Sequence, residues 1–598
     1  MKSVWTLCAI LLLAGGLLGQ TSTKPKTSTK KAAAATATIT AADVQALKDA
    51  IASQQAALTQ QQRQLQELRD ELRRKDQVVQ QAQTAASDAA SKADAAQNTA
   101  SQQQAAVTAL KTDVEDVKGA VASTVVNLQE TQKRVSEAPT TIHFKGITIT
   151  PGGFLAAESV YRSHALGSGI NTPLNAVPMS GASANNISEF YGSGRQSRIA
   201  MLVEGKAGAV KMGGYYEADF LSAGVTSNNN QSNSYTLRQR QVFAQAALDS
   251  GWTFTGGQQW SLVTETKAGM DNRSEALPMT IDPQYHVGFS WTRQYGFRAT
   301  KNINKKVWLG VSAENAQATL TTHNNAANFL LGSAGVTGGL YNNQANYSFN
   351  PSPDIIGKIV FQPGFGHYEV FGIFSRFRDR VFPCQDIAAT NLCGGSATPG
   401  PNALGGFNDS KSGGGAGANA RWSFANKHVD VGLHGLGGSG VGRYGTSGLP
   451  DVAVHADGKL YLVKSLQGLS TLEFHYPKID VYFNVGAEYA GRAGDFDPVT
   501  GKYVGYGSPL FSNAGCGTET LPGSGGFSPG SLGSCTADTR ALIEGTAGFW
   551  HKIHSGPHGR IQWGLQYSHL ARQTWSGVGG DPSGSEDLFY TSFRYYLP

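Results

Sequence analysis

With 598 residues, 40% of them apolar, 15% charged and 73 glycines, the chain is neither a bundle of membrane helices nor an unfolded polymer. A formal net charge of +6 over that length carries no sign of a nucleic-acid partner. Past the first 20 residues no run approaches the ~18 apolar residues that a spanning helix needs.

In chain order, the first element is VWTLCAILLLAGGLLG, Val4 to Gly19 behind Lys2. Its basic start, short apolar core and small-residue exit predict a signal peptide over 1–20. Residues 21–42 form a basic Thr, Lys and Ala-rich tether of low complexity. Residues 43–138 then lack proline and nearly lack glycine, and stepping by seven from Val44 meets only apolar residues as far as Val135: Ile51, Leu58, Leu65, Leu72, Val79, then alanines at 86, 93 and 100, then Val107, Val114, Val121 and Leu128. That stripe predicts a coiled coil. Leu47, Leu68, Leu110 and Val117 are the partner knobs, and Gln54, Gln61 and Gln103 are polar layers that set register and make the chain pair with copies of itself. At ~1.5 Å per residue the rod is on the order of 140 Å long.

From residue 139 to 598 glycine, aromatics and alternation take over. In KIDVYFNVGAEYAGR, Ile479, Val481, Phe483, Val485 and Tyr489 share one face, and Asp480, Tyr482, Asn484, Gly486 and Glu488 the other. Ile561, Trp563, Leu565 and Tyr567 likewise oppose Arg560, Gln562, Gln566 and Ser568, and Val307, Leu309 and Val311 oppose Trp308, Gly310, Ser312 and Glu314. One lipid-compatible face and one polar face on strands of about ten residues is what an outer-membrane barrel requires, because closure satisfies every backbone group. Strands are predicted near 147–161, 195–206, 210–221, 237–248, 252–262, 286–301, 305–317 and 354–363. Eight more follow near 367–381, 413–425, 428–440, 453–477, 479–493, 539–552, 560–574 and 587–597. The fold class is thus an all-β transmembrane barrel of 16 antiparallel strands behind a long helical coiled coil. Short links (KAGA, DSG, INKK, QPGFG) alternate with long ones. Short turns belong on the periplasmic rim, and an even strand count returns both barrel termini there, so the coiled coil is periplasmic. The last strand places Phe589, Phe593, Tyr595 and Leu597 outward and Ser592 and Arg594 inward, and ends in Pro598 where barrels of this kind end in an aromatic residue.

The coiled coil leading into FKGITITPGGFLAAE, followed by GRQSRIAMLVEG, GGYYEADF, LRQRQVFAQ and TGGQQWS, resembles the DcaP-like trimeric outer-membrane porins. The resemblance covers residues 143 to about 300, and beyond that the architecture alone. It implies a homotrimer of sixteen-stranded barrels that passes small, often anionic, solutes. The matching positions include Arg195, Arg198, Arg238, Arg240, Gln259 and Trp260.

Charge placement refines that expectation. From His143 onward 33 Lys and Arg face 30 Asp and Glu, so position decides selectivity. Arg376, Arg378 and Arg380 in SRFRDR share one strand face, opposite Phe371, Ile373 and Phe377. A charge at mid-bilayer costs ~2–4 kcal/mol, so these arginines line the lumen or stand above the bilayer. The lumen is the preferred expectation, with Arg238 and Arg240 as a second ladder. The third long loop, VTETKAGMDNRSEALPMTIDP, stands where general porins fold a loop inward. Its Glu265, Asp271, Glu275 and Asp282 are the expected acidic side of a transverse field. Cys384 with Cys393 and Cys516 with Cys535 read as two loop staples in an oxidising compartment, unpaired or cross-paired thiols being the alternative. Gly435, Gly437 and Gly440 have dinucleotide-fold spacing but no following helix. His551, His554 and His558 flank a solvated turn without carboxylates. No Ser, His and acid set stands at a strand end, so no enzyme, cofactor or metal is expected.

The expected function is a passive diffusion porin in the outer membrane of a diderm bacterium, with outer-membrane lipid, further copies of itself and small solutes as partners. A structural protein tethering that membrane to peptidoglycan through the basic tail is the alternative from another class. Outer-membrane attachment of a chain lacking 21–138 separates the two.

Overall fold

The structure, a computed structural model, describes residues 141–222, 235–331, 349–385, 402–498, 500–523 and 530–598, together with Lys111, Val114, Val117 and Lys118, which are helical. The chain divides into two compact units, 1–129 and 130–598. The signal peptide, the tether, Cys393 and all but four residues of the coiled coil lie outside the described residues.

The second unit is a closed antiparallel barrel. Its strands are β1 (Ile147–Arg162), β2 (Arg198–Ala207), β3 (Val210–Asp219), β4 (Arg238–Leu248), β5 (Trp252–Trp260), β6 (Arg293–Asn302), β7 (Val307–Glu314) and β8 (Asp354–Phe361). The chain continues through β9 (His367–Val381), β10 (Phe407–Phe424), β11 (Val429–Ser439), β12 (Lys464–His475), β13 (Ile479–Ala490), β14 (Thr539–Gly556), β15 (Gly559–Thr574) and β16 (Ser583–Tyr596). Each pairs with the next, and β16 pairs with β1 from Phe154 opposite Tyr596 to Arg162 opposite Leu588. Closure leaves no open edge, so every strand finds ladder partners on both sides. Three short strands, Ile142–Phe144, Glu189–Ser193 and Phe329–Leu330, join the same sheet.

Strict alternation sets which way each side chain points. On β13 Phe483 and Val485 are 46% and 56% exposed on the outer wall, whereas Tyr482, Asn484 and Glu488 are buried inside. On β7 Leu309 and Val311 face out, and Trp308, Ser312 and Glu314 face in. A slip of one residue would turn every polar group of a strand onto the apolar outer wall, which pins the register.

Three strand boundaries differ from expectation by six residues or more. The predicted strand at 286–301 begins only at Arg293, because residues 286–292 leave the wall for the lumen. The predicted strand at 453–477 is β12 preceded by a separate hairpin, Val452–Val454 with Leu460–Leu462. Strand β10 begins six residues early, at Phe407. In the first two cases a loop packed between two surfaces alternates apolar and polar residues just as a strand does.

On the long-loop rim Cys516 and Cys535 are bonded to each other. Cys384 is also disulfide-bonded. The loop after β7 is clasped to the segment before β14 by His323, whose Nε2 lies 2.7 Å from Asp538 Oδ1. The Asp538 carboxylate raises the His323 imidazole above its usual range. A raised folded value gives a contribution that is full below the ordinary value of ~6.5 and is lost as pH rises through the raised one. Limited proteolysis of the loops is therefore expected to quicken from pH ~5.5 to ~8.5, and the difference to vanish in His323→Gln. Equal cleavage of the wild type at both pH values would refute the clasp.

Candidate channel and its constriction

Between β5 and β6 the chain pinches together, Ser261 N–H donating to Thr292 O at 2.9 Å, and the 261–292 loop enters the barrel. Its first half rests on an apolar patch of the inner wall, where Val263 and Met270 pack with Trp308, Ile356, Phe371 and Ile373. Buried polar groups next to that patch hold the loop backbone. Lys358 Nζ donates to Thr264 O at 2.8 Å and forms a 2.6 Å ion pair with Glu369, which in turn accepts the Thr266 N–H at 3.0 Å.

The second half reaches the far wall. Gln196 Nε2 donates to Ile281 O at 2.6 Å, Asn484 Nδ2 to Met279 O at 2.8 Å, and the Ile281 N–H to Gln566 Oε1 at 2.5 Å. The Val287 and Gly288 N–H groups donate to Glu544 Oε2 and Glu488 Oε1, each at 2.9 Å. A side chain at Gly486 would collide with the Val287 carbonyl, and one at Gly288 with the Gly468 carbonyl. Glycine there lets loop and wall meet backbone to backbone. Strands on both sides of the lumen hold the loop, so it narrows the channel.

Beside the crossing lies a cavity of about 850 Å³. Arg198, Arg240, Arg421, Lys427, Arg560 and Arg594 of the wall and Lys267 of the loop line it, together with the Leu277–Tyr285 stretch of the loop and four acids, Asp282, Asp430, Glu473 and Asp480. Part of the basic set is braced. Arg240 donates to Glu217 at 2.6 Å, to Asp219 at 2.7 Å and to the Tyr285 hydroxyl at 3.1 Å. Arg594 pairs with Glu158 at 2.7 Å and lies over Trp550 and Phe154, 4.6 and 5.0 Å from the ring centres. Planar guanidinium groups suit such stacked, forked contacts. Among the described residues Lys427 and Arg560 have no carboxylate within ion-pair distance, and their charge faces the cavity.

The expected site residues separate accordingly. Arg198 and Arg240 line this cavity, and Arg238, in a bidentate pair with Asp219 at 2.8 and 2.9 Å, lines a neighbouring one of about 450 Å³. Arg195 does not face the pore. It donates to Phe220 O at 3.0 Å and to Ser222 O, and covers the Tyr235 ring. Trp260 packs on Tyr285 and Trp291 beneath the loop, and Gln259 is buried beside it in the sequence.

The ladder of Arg376, Arg378 and Arg380 is a correction. These residues share the outer face of β9 with Val370 and Phe374, 61% and 49% exposed, while Phe371 and Phe377 are buried inside. A tilted strand climbs ~2.5 Å per residue, so Arg376 stands about 20 Å above Tyr368, near the top of a ~25 Å apolar band. Phe371 faces inward onto the loop's Val263 and Met270, and Phe377 onto Phe349, Val452 and Leu460 of other inward segments.

The four loop acids do not form one wall either. Glu265 is spent on Arg421 at 3.0 Å and lies 3.6 Å from His434. Asp271 is exposed. Glu275 closes the loop's own hairpin opposite Thr266. Asp282 alone lines the cavity, with an oxygen 2.7 Å from the Tyr590 hydroxyl. Arg421 and Lys427 were missed by sequence reasoning. The inward parity of β10 could have found Arg421, but a solitary arginine beside a tryptophan in ANARWSF carries no motif.

No protein-family model matches the sequence, and no curated protein matches it. Among solved structures, the outer membrane channel DcaP of Acinetobacter baumannii matches at 14% identity with a TM-score of 0.50, over 76% of this chain and 99% of that one. The barrel has the DcaP fold. The likeness read from residues 143 to about 300 thus extends, as fold, to nearly the whole of DcaP. Vibrio cholerae OmpT matches at 8% identity over 76% of this chain and 99% of its own, with a TM-score of 0.38. Pseudomonas putida OprB matches at 11% over 75% and 94%, also with a TM-score of 0.38.

Proposed function

We propose that the chain is an outer-membrane porin through which small hydrophilic solutes diffuse passively, anions preferred, and that it works as a homotrimer with a coiled-coil stalk in the periplasm. The observation that carries this reading is the inward loop facing a basic wall inside a closed barrel. A sixteen-stranded barrel is wide enough for an aqueous channel, and the loop restricts it to a passage lined by Arg198, Arg240, Arg421, Lys427, Arg560 and Arg594. Seven Lys and Arg against four Asp and Glu leave that lining with a basic excess, and a net field of one sign in a narrow passage concentrates counter-ions. The heptad stripe supports the stalk, and the long first link, 163–197, supports its placement, because it starts β1 from the rim of short turns.

The test is reconstitution of the full chain in a planar bilayer. Stepwise conductance in multiples of a unit, with a reversal potential in a KCl gradient on the chloride side, is the expected result. A barrel that inserts and stays silent would end the porin reading.

A further inference from the structure

At the short-turn end of the lumen three side chains converge in a way the channel reading does not use. Asp430 and Glu473 are opposite one another across β11 and β12, His475 follows on the same inner face, and Asp480 of β13 stands opposite His475. His475 Nε2 lies 3.3 Å from Glu473 Oε2 and 3.6 Å from Asp430 Oδ2, and one ligand atom from each of the three falls within 4.8 Å of the others. Ligand bonds of ~2.0–2.1 Å in tetrahedral geometry put neighbouring donor atoms ~3.3 Å apart, close to the 3.3 and 3.6 Å that separate His475 Nε2 from the two carboxylates.

Two further observations point to an ion. Glu473 is 6% exposed, and its Oε1 has no hydrogen-bond partner. The outer partners are also in place. Asp480 Oδ1 lies 3.2 Å from His475 Nδ1 and is itself held by Lys552 at 2.7 Å, a pairing that with the proton on Nδ1 turns the free Nε2 toward Glu473 and Asp430. Ser423 donates to Asp430 Oδ1 at 2.6 Å, which leaves Oδ2 toward the histidine. A carboxylate behind a ligating imidazole is the usual outer support of a metal centre.

We propose that Asp430, Glu473 and His475 bind one divalent transition-metal ion of the zinc class, with Asp480 orienting His475 and the fourth position open to the lumen. One imidazole and two carboxylates suit zinc better than calcium, which takes six to eight oxygens. Binding would cancel the charge of two carboxylates on the lumen wall and strengthen the basic field there. The binding itself does not depend on the chain conducting, so the two readings fail separately.

The test is titration of the chelator-stripped full chain in detergent with Zn²⁺ by calorimetry, and with Co²⁺ by visible absorption. One saturable site per chain with the strong absorption of tetrahedral Co²⁺ is expected. It should be lost in His475→Ala and Asp430→Asn, weakened at least tenfold in Asp480→Asn, and kept in His551→Ala, in barrels whose gel mobility still shifts on heating. Absence of saturable binding, or binding that survives His475→Ala, would leave an imidazolium held between carboxylates and overturn the site.

Discussion

Removing residues 276–289 is expected to raise single-channel conductance roughly threefold, since the passage then approaches the open bore of a sixteen-stranded barrel. This segment makes the crossing, through Ile281, Val287 and Gly288. Its removal leaves the first half of the loop on the Trp308, Ile356 and Phe371 patch, so that seat stays covered. The freed partners Glu488, Glu544 and Gln566 face a water-filled lumen, where an unpaired carboxylate is tolerated far better than in a dry interior. Gly486→Leu should act in the same direction with smaller effect, because its side chain would collide with the Val287 carbonyl and lift the loop without deleting it. Unchanged conductance in both variants, measured on barrels that remain heat-modifiable on gels, would show that the loop does not gate the passage.

Neutralising two lumen cations that pair with no described carboxylate should have the second largest effect. In Lys427→Gln combined with Arg560→Gln the chloride-over-potassium permeability ratio is expected to fall roughly threefold at low salt. Neither cation pairs with a carboxylate among the described residues, so their removal strands no buried acid. Arg240 and Arg594 would be poorer probes, because each braces a buried glutamate and breaking one such pair costs ~3–5 kcal/mol. The effect should shrink in ~1 M salt, where the screening length is about 3 Å. Replacing Arg376, Arg378 and Arg380 by alanine should leave the ratio where it was, because those side chains stand outside the barrel. Chelator in both chambers keeps the proposed metal ion out of the comparison. A shift in the outer triple variant and none in the lumen pair would reverse the assignment.

That pair of variants marks where alternation stops being informative. In SRFRDR the sequence separates arginines from phenylalanines correctly and cannot say which set is inside. The usual inference that the apolar face meets lipid fails at β9, because the folded-in loop supplies an apolar surface within the lumen and Phe371 and Ile373 pack there. The same loop made residues 286–292 look like wall, and it scattered the four acids: Glu265 reached Arg421, a partner 156 residues away.

Strand number, the alternation of long and short links and the inward faces of β7, β13 and β15 were legible without coordinates. They arise from chemistry repeated every second residue along one strand, where neighbours in sequence are neighbours in space. Tertiary structure alone decided which basic side chains face the passage, where the loop crosses, and that Asp430, Glu473, His475 and Asp480 meet. Each of those depends on the register between strands joined around a closed sheet, and on a loop whose two halves dock on opposite walls, distances that no local pattern encodes.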